Sequence, residues 1–225
     1  MAIAILLAFF LTIVHFFSNK ISRIIEEHHI HITSFSAAMF ITLIFIDFLP
    51  RVSEGLEFGA PVFLVMTSGF VLFHLSEKYL YQHVKDKKVL LKDLAELHNI
   101  GFFIDHLMVG FVLFLTFELT SYTNYLIFIP FLLHTVSSSM SLEHIHKKIK
   151  TKFNKFLLST STLLGALLAF FIKLEAFWYY TFFSFFLGAL LYVSIRDMLP
   201  KGKKGSPLMF LIGFLLTVGI ISLIY

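Results

Sequence analysis

The sequence predicts an all-α integral membrane protein, folded as one transmembrane domain over residues 1–225. Hydrophobic residues make up 58% of the chain and charged residues only 14%, whereas a soluble domain carries about a quarter charged residues. The apolar residues are gathered into stretches of about 20, the length that one helix needs to cross a bilayer. Only short polar links separate these stretches, so no soluble domain is predicted.

Eight such stretches follow one another along the chain, and each is predicted to form one transmembrane helix. The first ends before Lys20 and the second ends at Pro50-Arg51. The third and the fifth each run into a lysine-rich link, and the seventh ends just before Leu199-Pro200. In order, the predicted spans are about 1–18, 33–50, 60–82, 93–118, 123–145, 153–172, 177–197 and 206–225.

Basic residues predict how these helices are oriented. Of the 18 lysines and arginines, 16 fall at or in the links after the first, third, fifth and seventh stretches. Arg51 and Lys173 belong to the links after the second and sixth, and the link after the fourth has none. Because cytoplasmic loops carry the excess of lysine and arginine, the odd links are cytoplasmic and both termini lie outside. This pattern independently supports an even number of spans.

Composition also excludes several kinds of site and partner. The chain has no cysteine, which rules out disulfides and thiolate metal sites. Its net charge of +4 and its pI of about 9.2 are explained by helix orientation, so nucleic acid is not a predicted partner. The predicted partner is the lipid bilayer, and the predicted location is the cell (plasma) membrane.

Three ionisable residues lie where a bilayer should not tolerate them. Asp105 and His106 are roughly 18 Å into the fourth stretch, and His134 is roughly 15 Å into the fifth from the other face. In a hydrocarbon core of about 30 Å, all three are close to the midplane. A short link joins the two helices, so they are predicted to be antiparallel neighbours whose side chains can meet. Ser138, one turn after His134, shares its helix face.

The residues alone leave two interpretations open, with about equal weight. Histidine and aspartate are ligands for zinc, manganese and iron, and transporters hold substrates near the midplane. Ser138 is then a weak ligand or supports one. Alternatively, a histidine neutralises Asp105 and the pair only links two helices. Asp105 and His106 also point about 100° apart on one helix, so they could feed two adjoining sites.

Three motifs resemble the ZIP (Zrt/Irt-like) family of divalent metal transporters, over nearly the whole chain. The most specific is Leu191–Pro200, which reads LYVSIRDMLP, close to the family's Leu-Tyr-Val-x-x-x-Asp/Glu-x-Leu-Pro. Asp47–Arg51 (DFLPR) occupies the place of a His-x-x-Pro-Glu-like sequence, and Leu75–Lys78 (LSEK) resembles the family's glutamate before a basic loop. The resemblance implies a ZIP-like bundle of eight spans with both termini outside.

The family's metal-binding motifs are present in reduced form. Aligned on Gly110, Asp105 takes the place of a family histidine, His106 of an asparagine and Val109 of an acidic ligand. The fifth span reads HTVSSS from His134, where the full motif is His-Glu-x-x-His-Glu. One ion rather than two, lower affinity or a different metal preference is therefore expected. The resemblance implies a metal site formed by Asp105, His106, His134 and Ser138.

The resemblance further implies movement of a divalent metal ion toward the cytoplasm by alternating access. Zinc is the first candidate, and manganese, iron and cadmium are the others. The metal is a substrate, and no cofactor is predicted. An enzyme is not predicted either, because motifs such as His-Glu-x-x-His do not occur. The alternative is a non-transporting ZIP-like scaffold or metal sensor with a degenerate site. A homodimer is compatible with either function.

Other polar residues carry weaker predictions. His98, followed by Asn99, resembles a family pair but is only about five residues into the fourth span, and is predicted to lie at its cytoplasmic end, either as an interfacial residue or as an exit ligand. Glu77 is predicted to pair with a lysine, and Asp47 is either an attractor of cations or an ordinary helix-end carboxylate. The His28–His31 cluster is predicted in the first cytoplasmic link, either solvated or holding metal loosely. Glycines predicted to permit close helix packing are Gly101, Gly110, Gly165 and Gly188.

Overall fold

Apolar segments of the chain form eight long helices in the structure, a computed structural model. It describes residues 2–17, 20, 26–119, 128–145, 152–172, 174–199 and 205–224, and these contain no strand. The predicted all-helical bundle is therefore confirmed. Three helical stretches, 29–58, 87–115 and 176–196, are long and apolar enough to cross a membrane. The helices are α1 (Ala2–Phe16), α2 (His29–Leu43), α3 (Val62–His83), α4 (Lys87–Leu119), α5 (Phe128–Ile145), α6 (Lys152–Phe171), α7 (Ala176–Val193) and α8 (Pro207–Ile224).

Two helices begin earlier along the chain than the sequence predicted. α4 starts at Lys87 rather than near residue 93, because the Asp86 carboxylate accepts hydrogen bonds from the backbone amides of Lys88 and Val89 at 2.8 and 2.9 Å. A carboxylate in this position satisfies amides that have no partner inside the helix. A 3-10 turn at Glu26–His28 leads into α2. His29 and His31 therefore belong to α2 itself, while His28 lies in the turn before it, and the position of the cluster relative to a membrane stays a prediction.

α2 continues to residue 58 through three irregular turns. A π-helical turn spans Ile44–Phe48, an α-helical turn spans Leu49–Ser53, and a 3-10 turn spans Glu54–Phe58. Pro50 explains the π-helical turn, because proline has no N–H to donate and its ring displaces the carbonyl one turn back. Gly59 ends the helix with a φ of 73°, a left-handed conformation that glycine adopts without strain.

Contacts between α3 and α7 fix the direction of the helices. Tyr180, near the start of α7, donates its hydroxyl to Glu54, just before α3, at 2.8 Å. Tyr192, near the end of α7, donates its hydroxyl to Glu77 near the end of α3. α3 and α7 therefore run in the same direction, and α2, joined to α3 by the tight turn at 59–61, runs the opposite way. We call the two ends of the bundle the Glu54 end and the Glu77 end.

A short sequence is repeated at two π-helical turns. α7 is followed by a π-helical turn at Ser194–Met198, and the chain reads DMLPK from Asp197 where it reads DFLPR from Asp47. In both copies the π-helical turn begins three residues before the aspartate and ends one residue after it. The chain therefore contains an internal repeat that the sequence analysis did not find.

The packing around the repeated sequence is repeated as well. A Cβ added to Gly213 of α8 would overlap the Phe35 carbonyl of α2, and one added to Gly69 of α3 would overlap the Phe185 carbonyl of α7. Phe35 and Phe185 lie at the same distance along the chain before the two aspartates. The pair of α2 and α8 thus corresponds to the pair of α7 and α3. Because α2 and α7 run in opposite directions, the two copies are inverted.

Two pairs of helices touch through reciprocal glycines. A Cβ added to Gly110 of α4 would overlap a backbone carbonyl of α6, and one added to Gly165 of α6 would overlap a backbone carbonyl of α4. Gly69 of α3 and Gly188 of α7 are related in the same way. Small residues let helix backbones approach this closely. The packing prediction is confirmed for Gly110, Gly165 and Gly188, and for Gly101, which lies against Val193.

The helices form two groups with an aromatic boundary between them. α1, α4, α5 and α6 pack together in one group, and α2, α3, α7 and α8 form the other through the α3–α7 and α2–α8 pairs. The groups meet where α2 packs on α5 and where α4 packs on α7. At this boundary the ring of Phe131 lies 6.4 Å from that of Phe40 and 6.1 Å from that of Phe48. The central side chains of α4 and α5 face this boundary.

A buried ion pair fastens α3 to α7 at the Glu77 end. Glu77 Oε2 accepts hydrogen bonds from Arg196 Nη1 at 3.1 Å and from the Tyr192 hydroxyl at 2.5 Å. The Glu77 and Arg196 side chains are 12% and 8% exposed. The predicted lysine partner was therefore wrong, because Arg196 and Tyr192 approach from a helix distant in sequence.

Glu77→Ala is expected to lower the free energy of unfolding by about 3–5 kcal/mol, because it removes the carboxylate that neutralises a buried guanidinium. The matched control is Glu96→Ala, which removes an exposed carboxylate 3.8 Å from Lys92. It should change the free energy of unfolding by less than about 1 kcal/mol. Denaturant unfolding in detergent micelles measures both variants. Equal losses in the two would contradict the assignment of Glu77 as a structural link.

Candidate metal-binding site

Asp105, His106 and His134 come together in the centre of the bundle. Asp105 Oδ2 accepts a hydrogen bond from His134 Nε2 at 2.7 Å and lies 3.5 Å from His106 Nδ1. None of the three residues is more than 1% exposed. One carboxylate oxygen therefore faces both histidines, and the three residues form one cluster rather than two separate sites.

Hydrogen bonds at both nitrogens orient the ring of His106. Nδ1 donates to the Phe102 carbonyl at 2.9 Å, one turn earlier in α4, and Nε2 faces Ser138 Oγ at 3.1 Å. Because the proton is on Nδ1 in this arrangement, Nε2 carries the lone pair that can bind a metal. Ser138, predicted as a weak ligand or a supporting residue, is thus placed beside His106 and not beside His134.

Two buried atoms of this cluster have no hydrogen-bond partner in the described part of the chain. They are Asp105 Oδ1 and His134 Nδ1. A buried polar atom without a partner costs about 1–3 kcal/mol, and such an atom calls for an ion or a water molecule as its partner. A carboxylate oxygen and an imidazole nitrogen are both ligands for zinc. The chemistry of these atoms therefore fits a divalent metal substrate.

The side chains of the cluster are in direct contact with one another. Within the described ranges, no three His, Asp or Glu side chains are spaced to hold a metal ion. Asp105 Oδ2 and His134 Nε2 are only 2.7 Å apart, which is too close for one ion to bind both atoms. Two ligand atoms of a tetrahedral zinc ion lie about 3.3 Å apart when the metal–ligand bonds are about 2.0 Å. Asp105 and His134 must separate before an ion can enter between them.

A third histidine, which the sequence analysis missed, joins the cluster from α1. His15 is 5% exposed, and its ring centroid lies 4.3 Å from that of His106. It was missed because it lies near the end of the first apolar stretch, at the depth of an interfacial residue. A signal was nonetheless present, since Ala4, Ala8 and Leu11 are buried on the same face of α1. Small residues at this spacing indicate a helix face packed inside a bundle.

Apolar side chains seal the cluster toward the Glu54 end. Phe40 stacks on the ring of His134 with centroids 3.6 Å apart. Beyond this contact, Phe40, Phe131 and Phe183 meet Val109 in a packing that leaves no room for a water molecule. Val109 takes the place of the family's acidic ligand in the motif alignment. In this structure it belongs to an apolar wall.

Buried hydroxyl groups lie on the other side of the cluster, toward the Glu77 end. Ser36 of α2, Ser137 of α5 and Ser194 of the second π-helical turn are all fully buried. Their hydroxyls have no hydrogen-bond partner among the residues described. The three elements that carry them pack against one another. The two sides of the cluster therefore differ sharply in polarity.

Asp47 and His98 lie apart from this cluster. Asp47 is buried in the first π-helical turn, where Arg51 Nε and Nη2 both approach its Oδ1 at 2.9 Å. This ion pair favours the prediction that Asp47 is an ordinary helix-end carboxylate over the alternative that it attracts cations. His98 is only 8% exposed, and its Nδ1 lies 2.5 Å from the Leu94 carbonyl. His98 is thus buried near the start of α4, and its depth relative to a membrane interface stays a prediction.

Comparisons of the chain with protein families, with curated proteins and with solved structures found no match. The resemblance to the ZIP family accordingly stays a prediction from short motifs. Some of the residues that carry it cannot be placed, since the Asp197 and Ser139 side chains and the basic links at 146–151 and 200–204 lie outside the described residues.

Proposed function

We propose that the protein is a ZIP-like transporter of the cell (plasma) membrane that moves a divalent metal ion, zinc first, toward the cytoplasm. The observation that carries the proposal is the buried cluster of Asp105, His106 and His134, in which two polar atoms have no hydrogen-bond partner among the described residues. Ionisable residues within an apolar helical bundle are costly and mark ion pathways. In this proposal the eight helices are eight spans, the Glu77 end is cytoplasmic and both termini are outside.

The proposed mechanism is alternating access without covalent chemistry. The cluster is carried by α4 and α5, and reciprocal glycines hold α4 against α6. In the proposed motion, α1, α4, α5 and α6 move together against the other four helices. The apolar wall at the Glu54 end and the hydroxyls toward the Glu77 end support release into the cytoplasm. Movement of Phe40 away from His134 opens the opposite path and lets Asp105 separate from His134 around an ion.

Uptake into proteoliposomes tests this proposal. Purified protein is reconstituted into vesicles that hold a zinc-sensitive dye, and the wild type is compared with a variant carrying alanine at Asp105, His106 and His134. We expect zinc to enter vesicles with the wild type, and no entry above that of empty vesicles with the variant. Repeating the assay with manganese, iron(II) and cadmium defines the metal preference. Zinc uptake that persists in the triple variant would contradict the proposal.

One observation favours a second candidate function, a non-transporting membrane scaffold or metal sensor. The 2.7 Å contact between Asp105 and His134 gives the carboxylate a partner without any ion, as a link between helices does. Binding to the native state must raise thermal stability. A melting temperature unchanged by zinc, manganese and cadmium favours the scaffold. A raised melting temperature without uptake favours the sensor.

A further inference from the structure

His15 approaches the central cluster from a helix that no sequence motif implicated. α1 packs on α4, α5 and α6, and the ring centroid of His15 lies 4.3 Å from that of His106 at an interplanar angle of 34°. The ring centroid of His106 lies 5.8 Å from that of His134. Imidazoles from three different helices thus share one buried cluster with the Asp105 carboxylate.

As they stand, these side chains are not spaced to hold a metal ion, but two of the ring separations are close to the value expected for histidines that bind one ion. When Zn–N bonds are about 2.0–2.1 Å and the geometry is tetrahedral, the ring centroids of two ligands lie about 5 Å apart. The two separations in the cluster, 4.3 and 5.8 Å, lie on either side of this value. Binding of one ion would require His15 and His106 to move slightly apart, His106 and His134 to move slightly closer, and Asp105 to separate from His134.

We propose that His15 is a further ligand of the transported ion, which is then bound by three imidazoles and the Asp105 carboxylate. This inference rests on the proposed function. Four such ligands complete the tetrahedral set that zinc prefers. They also narrow the substrate class, because imidazole suits zinc, copper, iron and nickel, whereas carboxylate, carbonyl and water oxygens suit manganese, magnesium and calcium. The imidazole from α1 thereby takes over from the acidic ligand that is missing at Val109.

His15→Phe tests this inference, because phenylalanine keeps an aromatic ring against His106 and removes both nitrogens. We expect the zinc affinity of the purified protein, measured by isothermal titration, to fall at least about 10-fold, with a smaller fall for manganese. X-ray absorption at the zinc edge should count three imidazole ligands in the wild type and two in the variant. The melting temperature without metal should stay close to that of the wild type, since the ring contact is kept.

Thr12→Val is the matched control on the same face of α1. Thr12 is buried one turn before His15, and the change removes a hydroxyl at nearly constant volume. Zinc affinity should be unchanged. If His15→Phe does not fold, His15→Gln replaces it, and the same fall in affinity is expected.

The outcomes separate this inference from the proposed function. Wild-type protein that neither binds nor takes up zinc overturns both. If Asp105→Asn lowers zinc affinity while His15→Phe keeps wild-type affinity and ligand count, His15 only packs against His106, and this inference alone is overturned. Loss of one imidazole ligand in His15→Phe, with Thr12→Val unchanged, supports it.

Discussion

Replacing Asp105 by asparagine is expected to reduce zinc uptake by at least about 10- to 100-fold, the loss that even the outer partners of metal ligands cause. Asparagine keeps an oxygen that accepts the hydrogen bond from His134 but lacks the negative charge that balances a divalent ion. The protein should therefore still fold, with a change of about 1 kcal/mol in the free energy of unfolding. Proteoliposome uptake and thermal unfolding measure the two effects.

Asp47→Asn is the matched control for Asp105→Asn. It neutralises another buried carboxylate in the same bundle, one that pairs with Arg51 and lies apart from the central cluster. We expect zinc uptake by correctly folded protein to be retained, and the cost to fall on stability, since a paired charge is lost. Wild-type uptake by Asp105→Asn would assign Asp105 to a link between helices and favour the scaffold.

The second large effect concerns folding at one of the close helix contacts. Gly110→Ala is expected to lower the free energy of unfolding by at least about 3 kcal/mol, since the new Cβ would overlap the Thr162 carbonyl oxygen of α6. Neither backbone can move to relieve this overlap unless α4 and α6 separate. Gly165→Ala should act in the same way from the other helix. Denaturant unfolding followed by circular dichroism in micelles measures both.

Gly219→Ala is the control for these two substitutions. Gly219 is also a helical glycine, but an added Cβ there has nothing within 4 Å. Alanine favours a helix over glycine by about 1 kcal/mol, so this variant should be unchanged or slightly more stable. If all three variants lost stability equally, the loss would come from the glycines' own helix and not from contact between helices.

The eight helices could be predicted from the lengths of the apolar stretches. The contact between Asp105 and His134 could be predicted from the similar depth of the two residues in their helices. Apolar length defines the number of helices, and two polar residues at equal depth on antiparallel neighbours can reach each other. His15 was not predicted, because depth says nothing about which non-adjacent helix lies alongside. That depends on side packing, here on the small residues of α1, and only three-dimensional structure reveals it.

Contacts that depend on single side chains were also missed. Asp86 caps α4 and extends it to Lys87, although charged residues there suggested a link. Arg196 was counted among the basic residues that define orientation, yet it pairs with Glu77 inside the bundle. In each case the structure depends on a polar contact of one side chain and not on the average composition of the segment that contains it.

The repeated π-helical turns bear on the evolutionary origin of the chain and on a second conformation of the bundle. The copy at Asp47 stands at one end of the bundle and the copy at Asp197 at the other, as expected when a short helical unit is duplicated and its copies insert in opposite orientations. The conformation of each copy of the repeat is then one that the other copy can also adopt. In the proposed transporter, we expect the outward-facing state to form by exchanging the conformation of α2 with that of α7, and of α3 with that of α8. The internal repeat then serves as a template for the state in which the apolar wall opens.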